Sequence, residues 1–484
     1  MNLNKIIENL KTTNIAGNTD IEISDIIYDS RKVKKDCIFV CLKGVNSNGH
    51  DFIPQAIELG AKAIVVEEDT PIAGVTVIKV ENTRKALSYM SANFFKHPSK
   101  ELKTIAITGT KGKTTTSFMI KSILESSGFK VGVIGTIGVI LDGKVAALNN
   151  TTPESYDVQK YFRKMADEGC KYAVIEASSI GLVRNRLDNI VFDIGIFTNI
   201  SSDHIGKYEH KDYKEYIEAK SLLFKKCRIG IINKDDEDYR EIIKNHTCEI
   251  KTFGIAKSSD YNATSIKLIN ENGYVGTSFK LTGNLNIEKI SISIPGEFNV
   301  YNSLAACATC DLLGMSSENI ISGIKSTTVK GRFEPVIKNS KYSLFIDYAH
   351  NAVSMENILK TLKKYSPKRI VTLFGAGGNR PKIRRYEMGE VCGKYSDFSV
   401  ITSDNPRFED PLEIINDIEV GIKKTKGKYT IIPDRKKAIE FCIKNALEGD
   451  IIILAGKGHE DYQEIKGVKY PFDEREVIKE ILNK

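Results

Sequence analysis

The sequence predicts an α/β fold in three blocks, the second and third each built on a mainly parallel sheet. Three observations predict it. At 484 residues the chain is too long for a single hydrophobic core. Short β-branched apolar runs alternate with helical stretches along most of its length, as in βαβ units. Several of those runs stop directly at glycine-rich or charged motifs, and in open α/β sheets ligands bind beyond the carboxyl ends of strands.

Residues 1–99 hold runs such as DCIFVCL and AKAIVVEE around the amphipathic segment DFIPQAIELG, a small α/β unit. It closes with a helical pattern, TRKALSYMSANFF, and the break KHPSKELK, where Pro98 and the charges suit a linker. Residues 100–330 carry strand candidates TIAITG, VGVIG, YAVIEA, IGIFTN and IGIIN between helical stretches. Within this block, residues 262–295 alternate apolar and polar side chains around INENGYV, predicting an antiparallel addition before a helix at NVYNSLAACATCDLL. Residues 331–484 add YSLFIDYAH, RIVTLFGAGG, FSVITSDNPR, YTIIPD and DIIILAGKGHE, the layout of a Rossmann-like ligand domain.

With 41% hydrophobic and 27% charged residues, the composition is that of a folded globular chain. The net charge of +8 is spread over 70 basic and 62 acidic residues, which gives no nucleic-acid signature. Cys307 and Cys310 form a CxxC, but they fall in an apolar-periodic helical stretch, which favours packing over zinc or redox chemistry. The N-terminus lacks a signal-peptide apolar block, and no apolar run reaches the ~20 residues of a membrane span, so the reading is a cytoplasmic protein without membrane insertion.

The chemistry begins at residues 104–117, TIAITGTKGKTTTS. An apolar strand stops at Gly109, and Thr110, Lys111, Gly112, Lys113, Thr114 and Thr115 follow. Glycines bring backbone N–H groups up to phosphate oxygens, the next helix N-terminus adds partial positive charge, Lys113 reaches the outer phosphates and Thr114 offers a hydroxyl to Mg²⁺. The common P-loop spacing would place glycine at 107, where this chain has Ile107. The second block is therefore expected to be a P-loop ATPase domain.

Two neighbouring strands end in polar groups. YAVIEA delivers Glu176 and then Ser178, and IGIFTN delivers Asn199 ahead of Asp203 and His204. With Thr114, Glu176 and His204 form a candidate divalent-metal set. Lys220, in YKEYIEAKSLLF, reads from its residues alone as a solvated helix lysine. The TTPES run offers hydroxyls for a phosphate or sugar, or equally a helix cap with Pro153 at its start.

The phrases DSRKVKKDCIFVCLKG, TGTKGKTTT, NTTPES, TNISSDH, FNVYNSLAA, VKGRFE, DYAHN, SDNPRFEDP and AGKGHEDYQ, in this order, resemble the Mur ligase family over essentially the whole chain. Within it they resemble the members that add the third residue of the stem peptide. The resemblance implies three domains (1–99, 100–330 and 331–484) that take the muramoyl substrate, ATP and the amino acid. It implies ATP-dependent amide synthesis through an acyl phosphate, with UDP-N-acetylmuramoyl-L-Ala-D-Glu as acceptor, Mg²⁺ as cofactor and a monomeric state. Lys113, Glu176, His204 and Lys220 match catalytic residues, with Lys220 carbamylated by CO₂ so that it helps Thr114, Glu176 and His204 hold metal. Asn299, Arg332, Asp347 and His350 match nucleotide contacts; Ser30, Asn150, Thr151, Thr152, Ser178, Arg184 and Arg186 match contacts to the UDP-muramoyl dipeptide.

In the resembling family DNPR marks addition of meso-diaminopimelate, so Asp404, Asn405, Pro406 and Arg407, with Arg385, Gly456 and Glu460, match its contacts. The guanidinium of Arg407 offers a planar fork to a distal carboxylate that lysine lacks. The chain departs from the family pattern at Ile180 (histidine), Arg184 (glutamine), Lys111 (asparagine) and at Asn351 and Ala352 (threonine and proline). Two alternatives stay open: the same chemistry with L-lysine, another diamino acid or a modified acceptor, and a nucleotide-binding regulatory paralogue without catalysis.

Overall fold

A computed structural model describes residues 1–44, 47–69, 73–202, 205–206, 209–271, 273–338 and 341–483. The chain forms two compact units, Met1–Asp260 with Ala305–Met315, and Tyr261–Leu304 with Ser316–Lys484.

The first unit opens with β1 (Asn14–Ala16), β2 (Ile26–Ile27), β3 (Ile38–Val40), β4 (Ala63–Val66) and β5 (Thr76–Lys79), in the order β1-β5-β4-β3-β2. All are parallel except the edge strand β1. Leu87 and Met90 of helix Thr83–Phe94 close one face with Ile38 and Val65.

Then come β6 (Lys103–Thr108), β7 (Val131–Gly135), β8 (Gly138–Leu141), β9 (Lys144–Ala146), β10 (Tyr172–Glu176), β11 (Phe192–Phe197), β12 (Cys227–Asn233) and β13 (Glu249–Gly254). Their order is β13-β12-β11-β6-β10-β7-β8-β9, parallel from β13 to β7 and antiparallel beyond. The central strands are buried on both faces, which is why they read as unbroken apolar runs rather than alternating ones. The chain leaves β6 for β7 and β10 on one side and returns to β11, β12 and β13 on the other. The carboxyl end of β6 therefore sits at a topological switch point, where open sheets bind ligands.

The second unit holds the expected antiparallel addition, β14 (Tyr261–Glu271), β15 (Tyr274–Gly283) and β16 (Ile287–Ile292). It continues with β17 (Glu334–Lys338), β18 (Tyr342–Asp347), β19 (Arg369–Phe374), β20 (Phe398–Ile401), β21 (Tyr429–Ile431) and β22 (Asp450–Ala455), ordered β17-β18-β22-β19-β20-β21. Only β17 runs antiparallel. A hairpin, β23 (Tyr462–Ile465) with β24 (Val468–Pro471), follows. The expected helix appears as Phe298–Leu312; Cys307 and Cys310 are buried free thiols in it, and burial raises both. Among the described residues no helix is long and apolar enough to cross a membrane.

Candidate active site

The loop after β6 is bound to the residues just past its neighbour strand by several hydrogen bonds. Thr110 N–H donates to the Asn199 carbonyl at 2.8 Å, Lys111 N–H donates to Asn199 Oδ1 at 3.0 Å, and Thr198 Oγ1 donates to the Lys111 carbonyl at 2.7 Å. Gly109 has φ +149°, and a Cβ there would lie 1.9 Å from Thr198 Oγ1, so glycine is required by contact as well as conformation. Gly112, at φ +88°, precedes helix Lys113–Ser126, whose first N–H groups open onto the loop. Thr114 and Thr115 are half-buried in its first turn.

Two lysines meet at this loop. Lys113 Nζ donates to the carbonyls of Gly109 at 2.7 Å and Thr110 at 3.1 Å, and Lys220 Nζ donates to the Gly109 carbonyl at 3.0 Å. Lys220, on helix Tyr213–Ser221, is not the solvated lysine its composition suggested; it is 1% exposed, with its ammonium 4.4 Å from the Tyr216 ring centroid. Tyr216 hydroxyl in turn lies 3.1 Å from Thr110 Oγ1.

Lys113 and Lys220 line a cavity of about 350 Å³ with Asn150, Thr151, Ser178, Ser179, Ile180, Arg184, Arg186 and Glu209. The TTPES run leads into helix Ser155–Asp167, which begins at its last residue with Glu154 at the N-cap position and no side-chain cap bond. Thr152 Oγ1 donates to the Glu176 carbonyl at 2.7 Å and accepts from Ser178 N–H at 2.9 Å. Glu176 is 1% exposed and accepts from Thr136 N–H at 3.1 Å and Thr136 Oγ1 at 2.9 Å. Since that hydroxyl's proton goes to Glu176, Thr151 Oγ1, 3.1 Å away, is its donor.

Arg186 donates to the Thr152 carbonyl at 2.8 Å and to Glu154 Oε1, which also accepts from Arg84 at 3.0 Å. Burial, reinforced by the charges of Arg84 and Arg186, lowers the Arg184 guanidinium below its ordinary value. Nothing in the sequence marked Arg84, or His210, whose buried Nε2 lies 2.9 Å from Ser179 Oγ. Ser30 opens the turn Ser30–Lys32 and does not line this cavity. Asp203 and His204 lie outside the described residues. Among the described residues no three His, Cys, Asp or Glu side chains cluster as a metal cage. The oxygen groups present, Glu176 and Thr114, suit a hard cation that keeps water and phosphate oxygens for its remaining positions.

In the second unit the residues after β20 and β22 meet. Asn405 donates to Glu460 Oε2 at 2.8 Å and accepts from the fully buried Lys457 Nζ at 2.9 Å and from Glu464 N–H at 3.0 Å. Arg407 adopts φ +54°, donates through Nη1 to the Gly378 carbonyl at 2.7 Å and through Nε to Glu464 at 3.3 Å. Its Nη2 has no protein partner among the described residues. Gly456, at φ +109°, approaches Asp404 so closely that a Cβ would lie 2.7 Å from Oδ2. Pro406 is buried.

Arg385 does not join this group; buried to 1% exposure, it binds Glu409 and Asp417 at 2.8 and 2.9 Å. Beneath the site Arg435 donates to Glu474 at 2.9 Å and to the carbonyls of Ala455 at 2.9 Å and Ser403 at 3.3 Å. That fully buried pair links segments far apart in sequence and carried no motif.

Asp347, at the end of β18, accepts from the N–H groups of Phe333 and Ala349 at 2.7 and 2.8 Å. Burial pushes its carboxyl up, against the Arg332 charge and those N–H groups. Arg332 lies 5.4 Å from the Tyr348 ring centroid, and His350 is exposed beside it. Asn299 is 1% exposed and donates to the Pro295 carbonyl at 2.8 Å, a structural bond.

The family description "Mur ligase middle domain" matches residues 107–310, "Mur ligase, glutamate ligase domain" matches 331–458, and "Mur ligase family, catalytic domain" matches 22–95. A relative from Caldanaerobacter subterraneus, named UDP-N-acetylmuramoyl-L-alanyl-D-glutamate--2,6-diaminopimelate ligase, is 44% identical over 97% of this chain and 96% of its own. One of the same name from Clostridioides difficile is 43% identical over 100% of both. A solved structure of that name superposes with TM-score 0.75 and 28% identity, covering 100% of this chain and 99% of its own. A Mycobacterium tuberculosis folylpolyglutamate synthase shares the fold at TM-score 0.59 and 17% identity over 77% of this chain and 92% of its own.

Proposed function

The chain belongs to the Mur ligase family, and from that membership we propose that it uses ATP to join meso-2,6-diaminopimelate to UDP-N-acetylmuramoyl-L-alanyl-D-glutamate. The observation that carries this reading is the pair Lys113 and Lys220, both bonded to the Gly109 carbonyl in one cavity with Thr151, Ser178 and Arg186. The Lys113 ammonium makes a place for phosphate charge, Lys220 stands beside it as an amine for CO₂, and the hydroxyls and guanidinium around them suit a sugar-nucleotide peptide.

Residues 1–99 take part of the sugar nucleotide, 100–330 ATP, and 331–484 the amino acid. The N–H groups at the start of helix Lys113–Ser126 and the Lys113 ammonium orient the terminal phosphates. The γ-phosphoryl group passes to an oxygen of the D-glutamyl γ-carboxylate, and ADP leaves. The incoming amine attacks the acyl carbon, the carboxylate oxygen departs with inorganic phosphate, and the amine gives up a proton. Positioning and charge neutralisation supply most of the acceleration.

Thr114 and Glu176, with His204, are the residues that would hold Mg²⁺, which supplies charge neutralisation at the transferring phosphoryl group. Lys220 is buried on the cavity wall and is the amine that would take up CO₂ as a carbamate. Asn405, Glu460 and Arg407 receive the diamino acid, with Nη2 of Arg407 turned to a carboxylate. The enzyme acts as a cytoplasmic monomer. Mass spectrometry of products from ATP, the dipeptide acceptor and a pool of amino acids tests the assignment: a product heavier by one diaminopimelyl residue is expected. A lysyl product, or none, overturns it.

A further inference from the structure

At the opposite end of the β18–β22 sheet from the candidate amino-acid site, the strands begin rather than end. There Lys368 before β19 and Arg369 at its start, Asp397 and Phe398 at β20, Lys428 before β21, and the segment Lys424–Gly427 line an open cleft of about 790 Å³, joined by Glu390 and Lys394. Six cationic side chains face two acidic ones. Not all of that charge is available. Arg369 is held by Asp450 at 2.6 Å, Lys368 by Glu448 at 3.1 Å, and Asp397 accepts from Ile370 N–H at 2.7 Å. That leaves Lys394, Lys424, Lys426 and Lys428, exposed and in no ion pair among the described residues, against the carboxylates of Glu390 and Asp397, which keeps its charge while accepting that N–H.

Helix C-termini favour lysine, and this accounts for Lys394 in the last turn of Ile383–Tyr395 and for Lys424 just past Pro411–Ile422. It does not account for Lys426 and Lys428, beyond the reach of either helix end. The segment carrying them is set by contact. Gly427 lies against Gly393, where a Cβ would come 2.4 Å from the Gly393 carbonyl oxygen, and Thr425 Oγ1 accepts from Gly427 N–H at 3.1 Å. Lysines of one sign are thus held around one concavity of ligand size at the cost of mutual repulsion.

We infer that this cleft binds a small soluble anion bearing two or more phosphate groups, at a site separate from the phosphate loop. Concavity favours a compact polyanion over a flat surface, and compact lysine charges suit phosphate without requiring a planar partner. Phe398, half-buried on the wall, offers an apolar face to the remainder of such a ligand.

Calorimetric titration of the full-length protein with inorganic tripolyphosphate tests this. Two classes of site are expected: one lost in Lys113→Ala, the other weakened at least about tenfold in Lys424→Gln/Lys426→Gln/Lys428→Gln. Ligase turnover in the triple variant stays at the wild-type level. The control Lys11→Gln/Lys35→Gln/Lys100→Gln, with equal charge loss elsewhere, keeps both classes. A single class abolished by Lys113→Ala, or equal weakening in the control, overturns the inference.

Discussion

Lys113 and Lys220 lie more than a hundred positions apart, yet both ammonium groups donate to the carbonyl of Gly109, at 2.7 and 3.0 Å. One comes from the helix that follows the loop and the other from a helix that packs beside it. The loop therefore brings two lysine side chains to one oxygen at the point where a triphosphate enters, Lys113 as a cation and Lys220 as the amine open to carbamylation.

Removing either lysine should separate their roles. Lys113→Ala is expected to lower kcat by about a hundred- to a thousandfold, the loss typical of one electrostatic donor at a developing charge. Lys220→Ala is expected to be nearly inactive and partly restored by short carboxylic acids, which replace a carbamate. Steady-state rates with and without added acetate or formate check both. Full activity of Lys220→Ala without rescue would return Lys220 to a packing role.

Arg407 is held at Nε and Nη1, which leaves the Nη2 edge for a carboxylate. A charge-assisted contact of about 1.5–3 kcal/mol corresponds to roughly 10- to 150-fold. Arg407→Ala should raise the KM for meso-diaminopimelate by that factor and leave the KM for ATP unchanged. Arg407→Lys should not restore it, because an ammonium lacks the planar fork. An unaltered KM for the amino acid contradicts the role.

Arg435 and Glu474 form a buried pair, and losing one partner strands the other's charge. Arg435→Met should destabilise the protein by about 3–5 kcal/mol, and Arg435→Met/Glu474→Leu should recover most of that. The double variant should nevertheless show a raised KM for the diamino acid, since the Ser403 and Ala455 carbonyls lose their donor. Urea denaturation alongside kinetics measures the two effects separately.

His459 supplies a pH dependence. Burial is the main cause that lowers its imidazole below 6.5, with the Arg332, Lys330 and Arg475 charges adding. The native protein then binds fewer protons than the unfolded chain below that pH. Stability is fully present above 6.5 and is lost as pH falls through 6.5 toward the native value. His459→Gln should flatten this slope in unfolding midpoints measured between about pH 7.5 and 5.5.

Much of this was legible in the residues because it is local. The strand-to-loop break at Gly109 follows from β-branched residues meeting glycines, and each strand named from its apolar run is present, though YTIIPD forms a half-buried one. The hairpin around INENGYV follows from simple alternation. Lys220 was not legible: YKEYIEAK places it on a helix, but its 1% exposure depends on the loop after β6 packing over it. Nothing local in KIRRYEM announces that the Nη1 and Nη2 donors of Arg385 go to Asp417 and Glu409. Arg84 with Glu154, and Arg435 with Glu474, are long-range pairs whose partners share no motif.

The central claim is that the acceptor's γ-carboxylate takes the terminal phosphoryl group of ATP before the amine arrives. Acceptor labelled with ¹⁸O in that carboxylate, turned over with ATP, Mg²⁺ and meso-diaminopimelate, tests it by mass spectrometry of the released phosphate. One labelled oxygen per phosphate is predicted. Unlabelled phosphate, with amide formed, contradicts the account.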